Sequence, residues 1–261
     1  MKKILTISGS DCSGGAGIQA DIKAVSSRGD FISSVVTAVV AENTKGVRSL
    51  NYVDSKLVYD QIEVIFDDMG TDAIKLGMLP SADIIKAIYE ALKDKNIKNV
   101  VFDPCMVTKS EDELVEDDSI RLLKEYIFPM VDLICPNIPE AKTITGLEIK
   151  DEKDMEEACK IIYDMGVKNV LVKGGSHIDS SVDILYNGVN FERFSIKRID
   201  SKNTQGTGDV LAAIIASNLA HALNISDSIS NAKKYVTTAI ETAPGIGEGF
   251  GILNFFHEIY K

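Results

Sequence analysis

The chain has no tryptophan, and only three histidines, six prolines and four cysteines among its 261 residues. Cys12, Cys105, Cys135 and Cys159 form no C-x-x-C pair and have no neighbouring histidines. That pattern excludes a disulfide framework and a zinc finger, and it fits reduced thiols in a cytoplasmic protein. His177, His221 and His257 lack metal-ligand spacing. Basic charge is also scarce: 28 Lys and Arg face 39 Asp and Glu, a net charge of −11. A sequence-independent grip on nucleic acid or anionic lipid needs a basic face, so both are argued against. Long apolar runs are absent as well. The longest uncharged stretch, 210–226, includes Ser217, Asn218, His221 and Asn224, short of the roughly 20 apolar residues of a bilayer span. After Lys2 and Lys3, Gly9 and Asp11 interrupt an apolar run of about five residues, which reads as a buried strand and not a signal peptide.

What is present is an ordinary globular composition, 45% hydrophobic and 26% charged, with strands and helices in alternation. Short apolar runs at 4–8, 34–40, 73–76, 99–102, 131–135 and 169–172 read as strands. Between them, Val58, Ile62, Ile65, Phe66 and Met69 recur at helical spacing, as do Ile84, Ile85, Ile88 and Leu92, and Met155, Ala158, Cys159 and Ile162. A further helix is expected over 17–28. The alternation predicts an α/β fold with a mostly parallel sheet and helices on both faces. Residues 183–186 and 189–196, joined by Asn187-Gly188, predict a β-hairpin on a type I′ turn before helices at 207–223, 226–243 and 253–260. With no linker, charge run or repeat, a single domain over 1–261 is expected.

Ligands bind such sheets at the carboxyl ends of the strands, and the residues there are glycines, acids and one lysine. Gly206-Thr207-Gly208-Asp209 opens a helix: two glycines permit a tight turn with exposed amides, and the helix N-terminus favours an anion. Asp209 lies beside that anion site, where a carboxylate can take a proton from a substrate hydroxyl while the amides hold a migrating phosphoryl group. An acid in a first turn is equally an ordinary helix-stabilising choice. Lys173-Gly174-Gly175 ends a strand with a cation and two residues that let a phosphate approach the backbone. Asp103 and Glu140 each follow a strand, and two such oxygen ligands with phosphates suit Mg²⁺; alternatively, Glu140 after Pro139 is a helix-start acid and Asp103 a loop cap before Pro104. The first loop, Gly9-Ser10-Asp11-Cys12-Ser13-Gly14, does not match G-x-G-x-x-G, and no G-x-x-x-x-G-K-[ST] occurs, so dinucleotide enzymes and P-loop ATPases are disfavoured.

Seven ordered segments resemble the hydroxymethylpyrimidine/phosphomethylpyrimidine kinase family of the ribokinase-like fold: residues 9–21, Ala41-Glu-Asn-Thr44, Lys75-Leu-Gly-Met-Leu79, Asp103-Pro-Cys-Met-Val107, Pro136-Asn-Ile-Pro-Glu140, Val172-Lys-Gly-Gly175 and Asn203-Thr-Gln-Gly-Thr-Gly208. The resemblance runs over nearly the whole chain. It implies an ATP- and Mg²⁺-dependent kinase acting on the hydroxymethyl group of a pyrimidine, or on its phosphate, in thiamine biosynthesis. On matching positions it implies ring contacts from Gly9, Asp21, Glu42 and Met78. Asn137, Lys173, Gly175 and Thr207 would serve ATP, Asp103 and Glu140 the metal, and Gly206, Thr207, Gly208 and Asp209 the catalytic anion hole. It further implies a homodimer, with strand 34–40 as a possible edge. Gln205 and Asp209 depart from the family's usual histidine and cysteine, and an aspartate base resembles sugar kinases and many pyridoxal kinases. Pyridoxal or pyridoxine kinase, acting on another flat ring with a hydroxymethyl group, therefore stands as the alternative.

Overall fold

The computed structural model describes residues 1–106, 119–175, 182–196 and 198–259. Its framework is one nine-stranded sheet in the order β3-β2-β1-β4-β5-β6-β7-β8-β9. The strands are β1 (Lys3–Asp11), β2 (Phe31–Asn43), β3 (Gly46–Tyr52), β4 (Ala73–Leu76), β5 (Val100–Phe102), β6 (Leu133–Ile134), β7 (Val170–Lys173), β8 (Val182–Tyr186) and β9 (Phe191–Ser195). The six from β2 to β7 in spatial order are parallel, while the outer pairings β2–β3, β7–β8 and β8–β9 are antiparallel. The parallel strands are apolar on both faces because helices cover both.

Successive residues of each strand point to opposite layers. Leu5, Ile7, Ile74, Leu76, Val100, Phe102 and Ile134 pack with α2 (Ser55–Asp68), α3 (Ala82–Leu92), α5 (Ile138–Thr145) and α6 (Glu152–Asp164), near the short α4 (Ser119–Leu122). Ile4, Ala73, Val101, Leu133 and Leu171 pack with α1 (Gly17–Ser27), α7 (Thr207–Ala220) and α8 (Ile225–Glu241). Helix α7 explains the long uncharged stretch of the sequence: nearly all its side chains are buried, between the sheet, α1 and α8. Among the described residues no helix is long and apolar enough to cross a membrane.

Four local expectations change. The apolar 34–40 run belongs to a longer β2 that lies between β1 and β3, so its hydrogen bonds are taken and it offers no sheet edge. Strand β3, which the sequence reading left unassigned, is the edge on that side. The β8–β9 loop is four residues long and not two. Tyr186 pairs with Phe191, and the Asn187 side-chain oxygen accepts the amides of Val189 and Asn190, a local side-chain turn that displaces the type I′ geometry. Finally, 255–259 are turns and not a helix, and Tyr260 lies outside the described residues. This segment is fastened by Ile252, which bridges to Gln205, and by Tyr235, whose hydroxyl donates to the carbonyl of Phe255.

Candidate active site

The carboxyl ends of the parallel strands carry β1's glycine loop, Gly77-Met78 after β4, Asp103 after β5, Asn137 after β6 and Gly174-Gly175 after β7. The segment 203–206 and the first turn of α7 join them. Asp11 organises the first loop: its carboxylate accepts the amides of Ser13 (2.6 Å), Gly15 (3.0 Å) and Ala16 (2.8 Å) and the Ser13 hydroxyl (2.8 Å). The Gln205 amide nitrogen reaches the same carboxylate at 3.4 Å and Ser13 Oγ at 3.3 Å. Gly206, at φ +75°, lies so close that a Cβ there would come within 2.0 Å of the Gly15 carbonyl. The two glycine loops are thus one unit.

Gly206 also precedes the first turn of α7, whose N-terminus receives no side-chain cap. Its first amide, of Thr207, makes only a long bond to the Thr204 carbonyl (3.4 Å), and a helix N-terminus of this kind favours an anion. A Cβ on Gly208 would meet Asp103 Oδ2 at 2.7 Å and Lys173 Nζ at 3.3 Å, which puts the anion loop directly beside that pair. Lys173 and Asp103 are themselves 2.6 Å apart. Burial alone would lower the Lys173 ammonium, but the charges of Asp103 and Glu140 outweigh it and hold it well above the usual lysine value. Gly174, next along, donates its amide to Asp183 Oδ1, and Lys233 holds Asp183 Oδ2 at 2.5 Å. Gly175 has φ +55° and, among the described residues, open space around it.

Asn137 and Glu140 close a capping box on α5: the Asn137 side-chain oxygen accepts the Glu140 amide (2.9 Å), and Glu140 accepts the Asn137 amide (2.8 Å). Both thus have a structural task. Glu140 is nevertheless buried, and burial, with the nearby Asp103 charge, pushes its carboxyl up to about 8 against the pull of Lys173. Two carboxylates here outnumber the single lysine. Among the described residues no group of three or more metal-ligand side chains gathers anywhere.

At the ends of β2 and β4 lies a small apolar cluster. Met78, Ala38 and Val40 pack together with Val47, Leu50 and Cys105 against them. A Cβ on Gly9 would be 2.6 Å from the Met78 methyl, so a side chain there would make the flexible end of Met78 shift. Glu42 stands at the end of β2, half-buried, and its backbone carbonyl accepts the Cys12 thiol at 3.3 Å. Asp21 is elsewhere. It has no exposed surface, and its Oδ2 accepts Thr6 Oγ1 at 2.6 Å and Lys75 Nζ at 2.9 Å, beneath the floor of the site. Buried by α1 against the sheet, it meets Lys75 and not a ring, which corrects the expected ring contact.

Lys75 itself was missed as a functional residue. It is fully buried in the strand Ala73-Ile-Lys-Leu76 and reaches Asp209 Oδ1 at 2.8 Å. Asp209 Oδ2 accepts the Gly17 amide at 3.1 Å. Burial would raise Asp209, but the Lys75 charge and hydrogen bond hold its carboxyl below the usual value. A lysine in the middle of an otherwise apolar parallel strand was the available clue, since such a cation is buried only with a partner. Asp11 carried a weaker one, an acid two residues before a serine in a glycine loop.

A sheet of this topology, with an uncapped glycine turn, an acid and a lysine converging at its carboxyl edge, defines the ribokinase-like class of small-molecule kinase. The chain aligns structurally with Bacillus subtilis pyridoxal kinase in its ADP complex at TM-score 0.91 and 34% identity, over 98% of this chain and 97% of that one. It aligns with phosphomethylpyrimidine kinase from Clostridium difficile at TM-score 0.82 and 40% identity, over 92% and 100%. The family model described as phosphomethylpyrimidine kinase matches residues 11–254, and the chain belongs to that family. Among curated relatives, the thiamine biosynthesis bifunctional protein ThiED of Geobacter sulfurreducens is 45% identical over 96% of this chain. The hydroxymethylpyrimidine/phosphomethylpyrimidine kinase of Escherichia coli is 39% identical over 98% of this chain and 99% of its own. The chain spans about half the length of the bifunctional relatives it matches, 51% in the Geobacter protein.

Proposed function

We propose that this chain is an ATP-dependent kinase that phosphorylates the hydroxymethyl group of 4-amino-5-hydroxymethyl-2-methylpyrimidine, its monophosphate, or both, in thiamine biosynthesis. The observation that carries this reading is Asp209: a carboxylate in the first turn of α7, held below its usual value by Lys75, on the glycine loop that abuts Asp103 and Lys173. A substrate hydroxymethyl group placed beside that loop would offer its proton to Asp209. The amides of Gly206, Thr207 and Gly208 would then hold the phosphoryl group as negative charge shifts onto it. Lys173 lies across the loop to bind the nucleotide's phosphates, with Asn137, Gly175 and Thr207 lining the same edge. Met78 and Val40 would cover the ring, Gly9 would let it approach the backbone, and Glu42 would accept its amino group.

Asp103 and Glu140 are the residues that would hold Mg²⁺ together with the phosphates. Their fit rests on chemistry and place: Asp103 abuts the anion loop at Gly208, and Glu140 is a buried carboxyl, raised to about 8 by burial and the Asp103 charge, that a cation would help to ionise. A bound divalent ion would neutralise charge on the phosphates. One catalytic domain, a cytoplasmic setting and a homodimer complete the proposal, with β3 as the free edge on the β2 side.

Pyridoxal kinase is the second reading, favoured by the near-complete superposition on the Bacillus subtilis enzyme. ATP consumption measured with hydroxymethylpyrimidine, its phosphate, pyridoxal and pyridoxine in parallel separates the two. Turnover of the pyrimidines at least tenfold more efficient than of the pyridines supports the first reading, and turnover of none of the four defeats both. Asp209→Asn should lower kcat by about 10²- to 10⁴-fold, the usual contribution of a general base; retained activity removes Asp209 from that role.

A further inference from the structure

Four side chains form a buried line that ends at Asp209, and three of them, Thr6, Asp21 and Lys75, have no part in the proposed chemistry. Thr6 Oγ1 donates to Asp21 Oδ2 (2.6 Å), Lys75 Nζ donates to the same oxygen (2.9 Å), and Lys75 Nζ donates to Asp209 Oδ1 (2.8 Å). They come from β1, α1, β4 and α7, three of them with no exposed surface and Asp209 at 8%. A single salt bridge would need one acid. Here one ammonium is flanked by two carboxylates, which leaves a buried surplus of one negative charge. Asp21 Oδ1 is buried and accepts no hydrogen bond. An arrangement with an unpaired charge is costly to bury and adds nothing to stability that one Asp–Lys pair would not supply.

We infer that Lys75 and Asp21 are positioning residues for phosphoryl transfer: Lys75 bridges the two carboxylates so that it orients Asp209 before the reaction and stays paired to Asp21 once Asp209 holds the substrate's proton. The inference rests on Asp209 being the base. In the step, the hydroxyl oxygen forms its bond to the transferred phosphorus, the bond from that phosphorus to the leaving diphosphate breaks, and the electron pair departs with the diphosphate. The hydroxyl proton goes to Asp209, and Lys75 keeps its three protons throughout. The buried group then passes from a net charge of −1 to 0. A lysine paired to Asp209 alone would resist this, because neutralising its partner would strand a buried cation; Asp21 removes that penalty.

Asp21 must be ionised to do so. Burial, opposed by Lys75 and reinforced by the Asp209 charge, raises its carboxyl to about 7. Other charges face the group: Asp103 acts on Lys75, and Lys173 acts on Asp209. The Cys105 thiol also lies nearby, raised by burial and by the Asp209, Glu140 and Asp103 charges, so it is neutral in the working range. Activity should therefore rise with pH through an inflection near 7 that belongs to Asp21.

The test is the pH profile of kcat/KM for ATP-dependent phosphorylation by the full chain, from pH 5.5 to 9, alongside a carbon-13 NMR titration of the aspartate carboxyls in the ligand-free protein. Asp21→Asn should remove both the inflection and one carboxyl titration near 7. Its activity at pH 8 should fall about tenfold, to near the wild-type level at pH 6. Thr6→Val takes away the hydroxyl that favours ionised Asp21 and should move the same inflection to higher pH; it serves if Asp21→Asn does not fold, as checked by circular dichroism. Lys75→Met leaves two facing carboxylates, one of which must hold a proton, and should shift the acid limb upward by about one pH unit or more. Unchanged profiles in Asp21→Asn and Thr6→Val overturn the inference. If Asp209→Asn is dead while those profiles stay unchanged, only this inference fails; if Asp209→Asn remains active, the base assignment beneath it fails instead.

Discussion

Gly208 shows how little room the anion loop leaves at the scale of single residues. A methyl group there would press on Asp103 Oδ2 at 2.7 Å, an end fixed by its pair with Lys173 and not free to swing away. Gly208→Ala should therefore lower kcat/KM by tenfold or more while the thermal midpoint stays within a few degrees, since the change displaces the phosphate-facing pair and not the core. Parallel kinetics and thermal melts check this, and wild-type kinetics in the variant would show that the loop can shift. Residues of this kind were partly legible in the sequence. Asp209, Gly206, Gly208, Lys173 and Asp103 stood at strand ends and helix starts, where local pattern suffices. Asp21 and Lys75 did not declare their partnership, because 54 positions separate them and only the crossing of α1 over the sheet brings them together.

At the scale of elements, α5 depends on its first turn. The reciprocal cap between Asn137 and Glu140 satisfies two amides at once, and Gly146 ends the helix in the left-handed conformation at φ +76°. Asn137→Ala should cost about 1 kcal/mol in urea unfolding, the usual worth of an N-cap. A change below a few tenths would mean that tertiary packing of Ile138, Ala141 and Ile144 alone fixes the helix start. The long helices were readable by their apolar period, and so were the parallel strands by their apolar runs. Strand β3 was not, since Gly46-Val-Arg-Ser-Leu-Asn-Tyr52 is a half-exposed edge whose pairing with β2 supplies what its composition lacks. The final turns at 255–259 misled for the opposite reason. Of their apolar residues only Phe255 enters the core layer of α1 and α8, while Phe256 and Ile259 are exposed, and the chain there is tied by Tyr235 and Asn254 without forming a helix.

At the scale of the whole molecule, the end of the sheet opposite the site is closed by Asp30. Its carboxylate accepts the Lys2 amide (2.8 Å), Ser217 Oγ (2.7 Å) and His221 Nε2 (2.9 Å), joining β1, the start of β2 and the end of α7. Burial would raise this carboxyl, but those hydrogen bonds and the His221 charge hold it below the usual aspartate value. A group depressed on folding adds stability above its unfolded value near 4, and that stability is lost as pH falls through the folded value. Asp30→Asn should therefore lower the stability at pH 7 and flatten the loss below pH 4, read from urea unfolding at a series of pH values. An acid limb as steep as wild type would assign acid unfolding to other carboxylates.

The sequence by itself determined the class of fold, the parallel core and the loops where phosphate chemistry would gather, because apolar period, glycine turns and helix starts are local properties of the chain. Tertiary structure alone decided which charges meet. Lys75 between Asp21 and Asp209, and Asp103 against Lys173, are contacts between residues 54 to 134 positions apart. Their geometry follows from sheet register and helix crossing, and in a buried setting that geometry decides whether a carboxylate stands ionised as a base or serves only to balance its neighbour.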